Sequence, residues 1–242
     1  AASGSFWIGL GGGVLATAAI GVLLELTVLR RLYQRDHLSQ VLGTFAILLM
    51  ANEAVRMIWG SQPVPMAMPP ALSGPVELLP GFSYPAYRLF IIGVGLAVAL
   101  LLYLLVTRTR VGMQVRAGAS NREMAQAMGT NVRLLFTAIF AIGAALCAVA
   151  GGMLGPLLAV QVGMGESILI LAFVVIVIGG IGSIRGALLG ALLVGGVDTA
   201  GRTLVPMLFG ASAGPAVASI LIYVLMAGVL FWKPRGLFPS HG

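Results

Sequence analysis

The chain has 242 residues, 59% of them hydrophobic and only 9% charged, with a formal net charge of +7. Soluble domains carry roughly 25% charged residues, and a soluble chain this apolar would lack the polar surface to cover its core, so the composition excludes a soluble globular protein. The positive charge does not mark a nucleic-acid binder, because the arginines fall in short segments between apolar runs, where membrane topology accounts for them.

The chain opens Ala1-Ala2-Ser3 without a Met or a charged leader. It reads as a fragment or processed chain whose first span is expected to be missing, and not as a secretory signal. The first apolar run, Trp7–Leu29, is followed by Arg30, Arg31 and Arg35. Glu25, near Arg30 at the end of that run, is expected to be structural. A second run, Val41–Trp59, carries Glu53 and Arg56 three residues apart, with Asn52 adjacent. The stretch 61–88 then holds seven of the twelve prolines, which bars it from being a membrane helix. It reads as an extracytoplasmic loop.

Leu89–Val106 is the third run, and the connector 107–133 follows with Arg108, Arg110, Arg116, Arg122 and Arg133 against one acid, Glu123. A basic segment between two spans belongs on the cytoplasmic side. Within it, Met124 and Met128 lie four residues apart beside Ala125, a spacing that predicts a short helix with one apolar face. Gly129 and Asn131 are expected to end it. Two uses stay open for such a helix: resting on lipid headgroups, or docking into a groove on a cytoplasmic subunit.

The remaining runs are Leu134–Val160, Ser167–Gly180, Ala187–Leu208 and Ala213–Trp232. Cys147, alone in an apolar run, permits no disulfide framework and reads as a small buried hydrophobe. Ser167–Val197 is too long for one straight span and too short for two, and Gly179-Gly180-Ile181-Gly182-Ser183 supplies the expected break. Whether 187–208 spans fully or is partly re-entrant stays open. Gly182, Gly186 and Gly190 share one helix face, which allows close helix approach. Asp198 and Arg202, like Glu53 and Arg56, can neutralise each other within one helix, with a transport role as the alternative for these intramembrane charges.

Seven crossings place eleven of the fourteen cations on one side: Arg30, Arg31, Arg35, the five connector arginines, Arg185, Lys233 and Arg235. That predicts an all-α polytopic helix bundle forming one transmembrane domain over 1–242, in the bacterial inner membrane, with the N-terminus of this chain outside and its C-terminus cytoplasmic. The sequence contains no HExxH, GxSxG or phosphate-loop motif and no cysteine cluster. No catalytic residue, metal or cofactor is expected, and any pumping would draw its power from a partner.

Thr107-Arg-Thr-Arg-Val-Gly-Met, Arg116-Ala117, Met124-Ala125 and Met128-Gly129-Thr130-Asn131, with Ala172-Phe173, Gly179 through Ala187 and Pro234-Arg-Gly236-Leu237, form a dense set of matched positions. This set resembles the branched-chain amino acid ABC transporter permeases, from about Glu25 onward. The family's usual N-terminal helix and its glycine-, asparagine- and histidine-containing segment are absent. The resemblance implies a permease without enzymatic activity that pairs with a second, homologous permease subunit and two cytoplasmic ATPase subunits. A periplasmic solute-binding protein would feed it, and lipid would surround it. It also implies that Ala125, Met128, Gly129 and Asn131 dock on the ATPase, and that Gly179, Gly180, Gly182, Ser183 and Gly186 shape a helix break near the pathway. The alternatives are an ion-coupled secondary transporter using Glu53 or Asp198, or a permease of the same kind for urea, amides or small organic acids.

Overall fold

A computed structural model describes residues 5–33, 35–79, 82–180, 182–234 and 236–238, so Pro80, Ile181, Arg235 and His241 lie outside the described residues. The chain divides into two compact units, Ala1–Gly163 and Met164–Gly242.

In the first unit, α1 (Phe6–Leu24) continues through one π-helical turn (Glu25–Leu29) into α2 (Arg30–Leu32). Then come α3 (His37–Trp59), a 3-10 turn (Pro70–Leu72), a hairpin of β1 (Pro75–Leu79) and β2 (Phe82–Pro85), α4 (Ala86–Arg108), α5 (Arg110–Ser120), α6 (Arg122–Ala127) and α7 (Val132–Leu158). Helix α1 packs along α7 through small residues. A Cβ on Gly21 would stand 2.7 Å from that of Ala144, and one on Gly152 would overlap Leu10. With lipid outside, such close approach replaces the hydrophobic drive that holds soluble bundles together.

Asp36 starts α3 by accepting the Ser39 N–H (3.2 Å) and the Ser39 hydroxyl (2.6 Å). These bonds, the hydroxyl first, hold its carboxyl below the ordinary value of 3.8.

The proline-rich stretch is more ordered than a loop. β1 and β2 pair antiparallel with Pro75 opposite Pro85 and a register shift between Glu77 and Leu79. Val64 exchanges both backbone hydrogen bonds with Val160, at 2.8 and 2.9 Å. The buried Tyr87 hydroxyl donates to the Met153 carbonyl at 2.9 Å, giving a buried phenol the partner it needs. The stretch is thereby pinned to the far end of α7.

The second unit comprises α8 (Met164–Gly179) and α9 (Ile184–Trp232). The two runs expected as separate spans, Ala187–Leu208 and Ala213–Trp232, form one unbroken helical segment. It is nevertheless not straight. A straight helix would set Val194 and Ile222 about 42 Å apart, whereas both join Val174 and Ile178 in one buried cluster. The axis therefore turns back between two arms, in a stretch where the sequence places Gly210, Gly214 and Pro215, the residue types at which helices kink.

Among the described residues five helices are long and apolar enough to cross a membrane: Phe6–Leu32, Leu38–Trp59, Ala86–Arg108, Val132–Leu158 and Arg185–Met207. The apolar helices Met164–Gly179 and Ser219–Trp232 are shorter. At 1.5 Å per residue α8 reaches only about 24 Å, short of the roughly 30 Å hydrocarbon layer. Leu15, Phe45, Leu96 and Phe173 are among the many large apolar side chains left exposed, as lipid-facing residues must be. Cys147 is exposed on α7 and not buried as expected.

Candidate functional site

The connector is built from helices and caps. Thr109 accepts the Gly112 N–H at 3.2 Å and starts α5, and Arg116 on α5 donates back to the Val106 carbonyl at the end of α4. Asn121 accepts the Met124 N–H at 3.0 Å and starts α6. The end of α6 is a Schellman arrangement: Thr130 N–H bonds the Ala125 carbonyl and Gly129 N–H the Gln126 carbonyl, both at 3.0 Å. Gly129 takes φ +83°, a left-handed conformation suited to glycine.

Asn131, expected to help end α6, instead accepts the Leu134 N–H at 3.2 Å and starts α7. α6 and α7 are thus joined by a turn with little freedom. Ala125 is buried, as are Val132 and Leu135 at the start of α7. Met124 and Met128 stand out instead, the latter 81% exposed. Of the four residues assigned to docking, Met128, Gly129 and Asn131 are at the surface and Ala125 is inside.

The glycine cluster lies where α8 gives way to α9. Gly179 is the last residue of α8, Gly180 and Gly182 adopt φ +99° and +82°, and the Ser183 hydroxyl accepts the Gly186 N–H at 3.0 Å to start α9. Gly179 and Gly186 touch backbone to backbone, so a Cβ on either would overlap the other's main chain. One turn on, a Cβ on Gly190 would stand 2.8 Å from the Val175 carbonyl oxygen. The tail closes this corner, since Leu237 and Phe238 donate backbone N–H groups to the carbonyls of Ile178 (2.9 Å) and Gly179 (3.1 Å). These bonds occupy acceptors that a helix C-terminus leaves open.

Both intrahelical charge pairs form. Arg56 Nη1 lies 3.1 Å from Glu53 Oε1, with both side chains more than half exposed. Arg202 Nε lies 2.8 Å from Asp198 Oδ1. Glu25 is the more deeply held acid: it is 1% exposed on the π turn, 3.5 Å from Arg30 Nη2, and accepts the Thr137 hydroxyl of α7 at 2.6 Å. Arg30 also donates to Thr137 at 3.2 Å. The sequence flagged Glu25 and Arg30, but no spacing could have named Thr137, which is more than a hundred residues away. The tail's bonds to α8 were equally hidden, because they are made by backbone groups.

A family model described as branched-chain amino acid transport system / permease component matches residues 1–230. The chain is 30% identical over 228 residues to the high-affinity branched-chain amino acid transport system permease protein BraD of Pseudomonas aeruginosa, covering 93% of this chain and 71% of that protein. It is 26% identical over 240 residues to the corresponding LivH of Escherichia coli K12, covering 95% and 73%. A probable branched-chain amino acid transport permease protein, LivH, of Methanocaldococcus jannaschii is 29% identical over 136 residues, covering 56% and 43%. No solved structure matches the chain. With its apolar helices and a match running from the first residue to the last membrane helix, the chain is a multi-pass membrane transport protein and belongs to the branched-chain amino acid permease family.

Proposed function

We propose that this permease is the membrane-spanning subunit of an ATP-binding-cassette importer in the bacterial inner membrane, passing branched-chain or related amino acids delivered by a periplasmic solute-binding protein. It pairs with a second, homologous permease subunit. Two cytoplasmic ATPase subunits supply the power, and the chain itself catalyses no reaction. The observation that carries the reading is α6, a short helix capped at both ends and fixed to α7 through Gly129 and Asn131, presenting Met124 and Met128 outward. A projecting apolar pair on a rigid mount suits a groove on a soluble partner.

In this reading Met128 makes the contact, while Ala125, Gly129 and Asn131 hold the turn that aims it. ATP-driven movement of the ATPases displaces the 107–133 connector, and α7 carries the displacement into the membrane as alternating access. The cation distribution supports the connector and C-terminus inside and the N-terminus of this chain outside. Residues 1–242 then act as one permease domain, with the hairpin-bearing stretch 61–88 facing the binding protein. Gly179, Gly180, Gly182, Ser183 and Gly186 keep the α8–α9 corner tight beside the pathway. Glu53 and Arg56 neutralise each other. The family match favours this reading over an ion-coupled transporter.

Crosslinking tests it. A Cys replacing the exposed Gln126, in a Cys147→Ser background, is expected to crosslink to the co-expressed ATPase in a nucleotide-sensitive way. An assembled complex that gives no crosslink would contradict the proposed role of α6.

A further inference from the structure

The second unit contains a cavity of about 180 Å³ between α8 and the two arms of α9. Ile170, Leu171, Val174 and Ile222 give it an apolar lining, and Ser167, Arg202, Ser219 and Tyr223 a polar one. The two kinds are sorted by level. Val174 and Ile222 also belong to the buried cluster with Ile178 and Val194, which makes that end an apolar floor. From this cluster Ser167 lies about two turns toward the start of α8 and Arg202 about two turns along the first arm. Ser219 lies about one turn toward the start of the second arm. These directions coincide, because the chain reverses at the glycine corner and again between the arms, so the three residues form a polar mouth.

The guanidinium of Arg202 is the one charged group in the lining. Its Nε is held by Asp198 at 2.8 Å, and its two terminal nitrogens have no partner among the described residues, with the side chain 60% exposed. The Ser167 hydroxyl donates to the Met164 carbonyl at 3.1 Å, which leaves its oxygen as an acceptor at the mouth. Ile170 and Tyr223 are half exposed, so the cavity is open at its side, next to the exposed Leu169 and Phe173.

We propose that this cavity is a binding site for an anionic phospholipid, whichever solute the permease carries. The phosphate sits on the paired terminal donors of Arg202, and a headgroup hydroxyl donates to Ser167. The start of one acyl chain lies over Ile170, Leu171, Val174 and Ile222, and its remainder leaves through the open side across Phe173. A free phosphate would use the mouth alone and leave the aliphatic floor uncovered, whereas a lipid uses both. No acid is in the lining, so the cation of a zwitterionic headgroup has no partner there. Basic pockets between membrane helices recognise anionic headgroups in this way. The bound lipid would join α8 to both arms of α9 at the level where no buried cluster does so.

The test is native mass spectrometry of the transporter, purified in mild detergent with its co-expressed subunits and titrated with phosphatidylglycerol or with phosphatidylcholine of the same chains. Phosphatidylglycerol is expected to remain bound at a detergent level that strips phosphatidylcholine. Arg202→Gln is expected to weaken phosphatidylglycerol binding roughly tenfold or more. Arg202→Lys, which keeps the charge and loses the paired donors, is expected to be intermediate. Arg56→Gln removes another arginine of a membrane helix, also paired with an acid, and is expected to change nothing. Inorganic phosphate is expected not to displace the lipid. Equal retention of the two lipids overturns the site, and so does binding that Arg202→Gln leaves undiminished or that Arg56→Gln weakens as much. Displacement by inorganic phosphate would show a bare anion site and overturn the lipid. The comparison of the two lipids on the parent protein needs no substitution, so it decides even where Arg202→Gln fails to fold.

Discussion

Single residues carry the tightest constraints in this chain, and most of them are glycines or capping groups. Gly186 has no room for even a methyl group, because Gly179's main chain occupies the place of its Cβ. Gly195, nine residues on in the same helix, has nothing within 4 Å of that position. The same substitution is therefore expected to act with opposite signs. Gly186→Ala forces two backbones apart and should cost about 1–3 kcal/mol or more, whereas Gly195→Ala should gain about 0.5–1 kcal/mol of helix preference. Thermal unfolding of the two variants in detergent measures the contrast, and equal shifts would mean that the α8–α9 corner is looser than described. The sequence showed Gly182, Gly186 and Gly190 on one face, but the residue that meets Gly186 is Gly179, across the break. Spacing within a helix reveals a small face and not its partner.

At the scale of elements, helices were legible wherever a run of apolar residues was long enough to cross a bilayer, since length and composition suffice there. What escaped depends on tertiary contact. The π turn at Glu25 coincides with the acid's bond to Thr137, and the hairpin of β1 and β2 lies in a stretch whose prolines suppress any strand signal. The bent α9 was divided in two because Gly210, Gly214 and Pro215 look in sequence like a break between spans, whereas the helical backbone continues through them.

Capping is a local signal, as Asp36, Asn121 and Ser183 each start a helix from a residue type favoured there, but it was misassigned at Asn131, which was expected to end α6 and instead starts α7. For Asp36 this gives a pH dependence. Its carboxyl is held below the usual value by Ser39, so its contribution to α3 is present above the unfolded-state value near 3.8. The contribution is lost as the pH falls through the lower folded value. Backbone hydrogen exchange at Ser39, corrected for its intrinsic pH dependence, is expected to speed up only below about pH 4 in the parent chain. In Asp36→Ala it should be fast already at neutral pH. Unchanged protection in that variant would show that the cap does not hold the start of α3.

For the whole molecule, the proposed function makes the connector the input, where caps tie α5 and α6 to α4 and α7. A second line of contact leads from the start of α7 to α1, since Glu25 and Arg30 grip Thr137 less than two turns into α7. Motion of α6 would therefore reach α1 as well as α7. The candidate site was legible only in part. The basic connector, the Met pair and the charge pairs follow from composition and spacing, but the inward placement of Ala125, the service of Asn131 to the next helix and the meeting of Arg202 with an aliphatic cavity are set by the fold.

In the function proposed above, an ATPase drives this permease. The decisive measurement is uptake into proteoliposomes holding the assembled transporter, with ATP on the ATPase side and binding protein and leucine on the other. The expected result is leucine accumulation that requires both ATP and binding protein and survives collapse of proton and sodium gradients. Accumulation that follows an ion gradient and ignores ATP would contradict it.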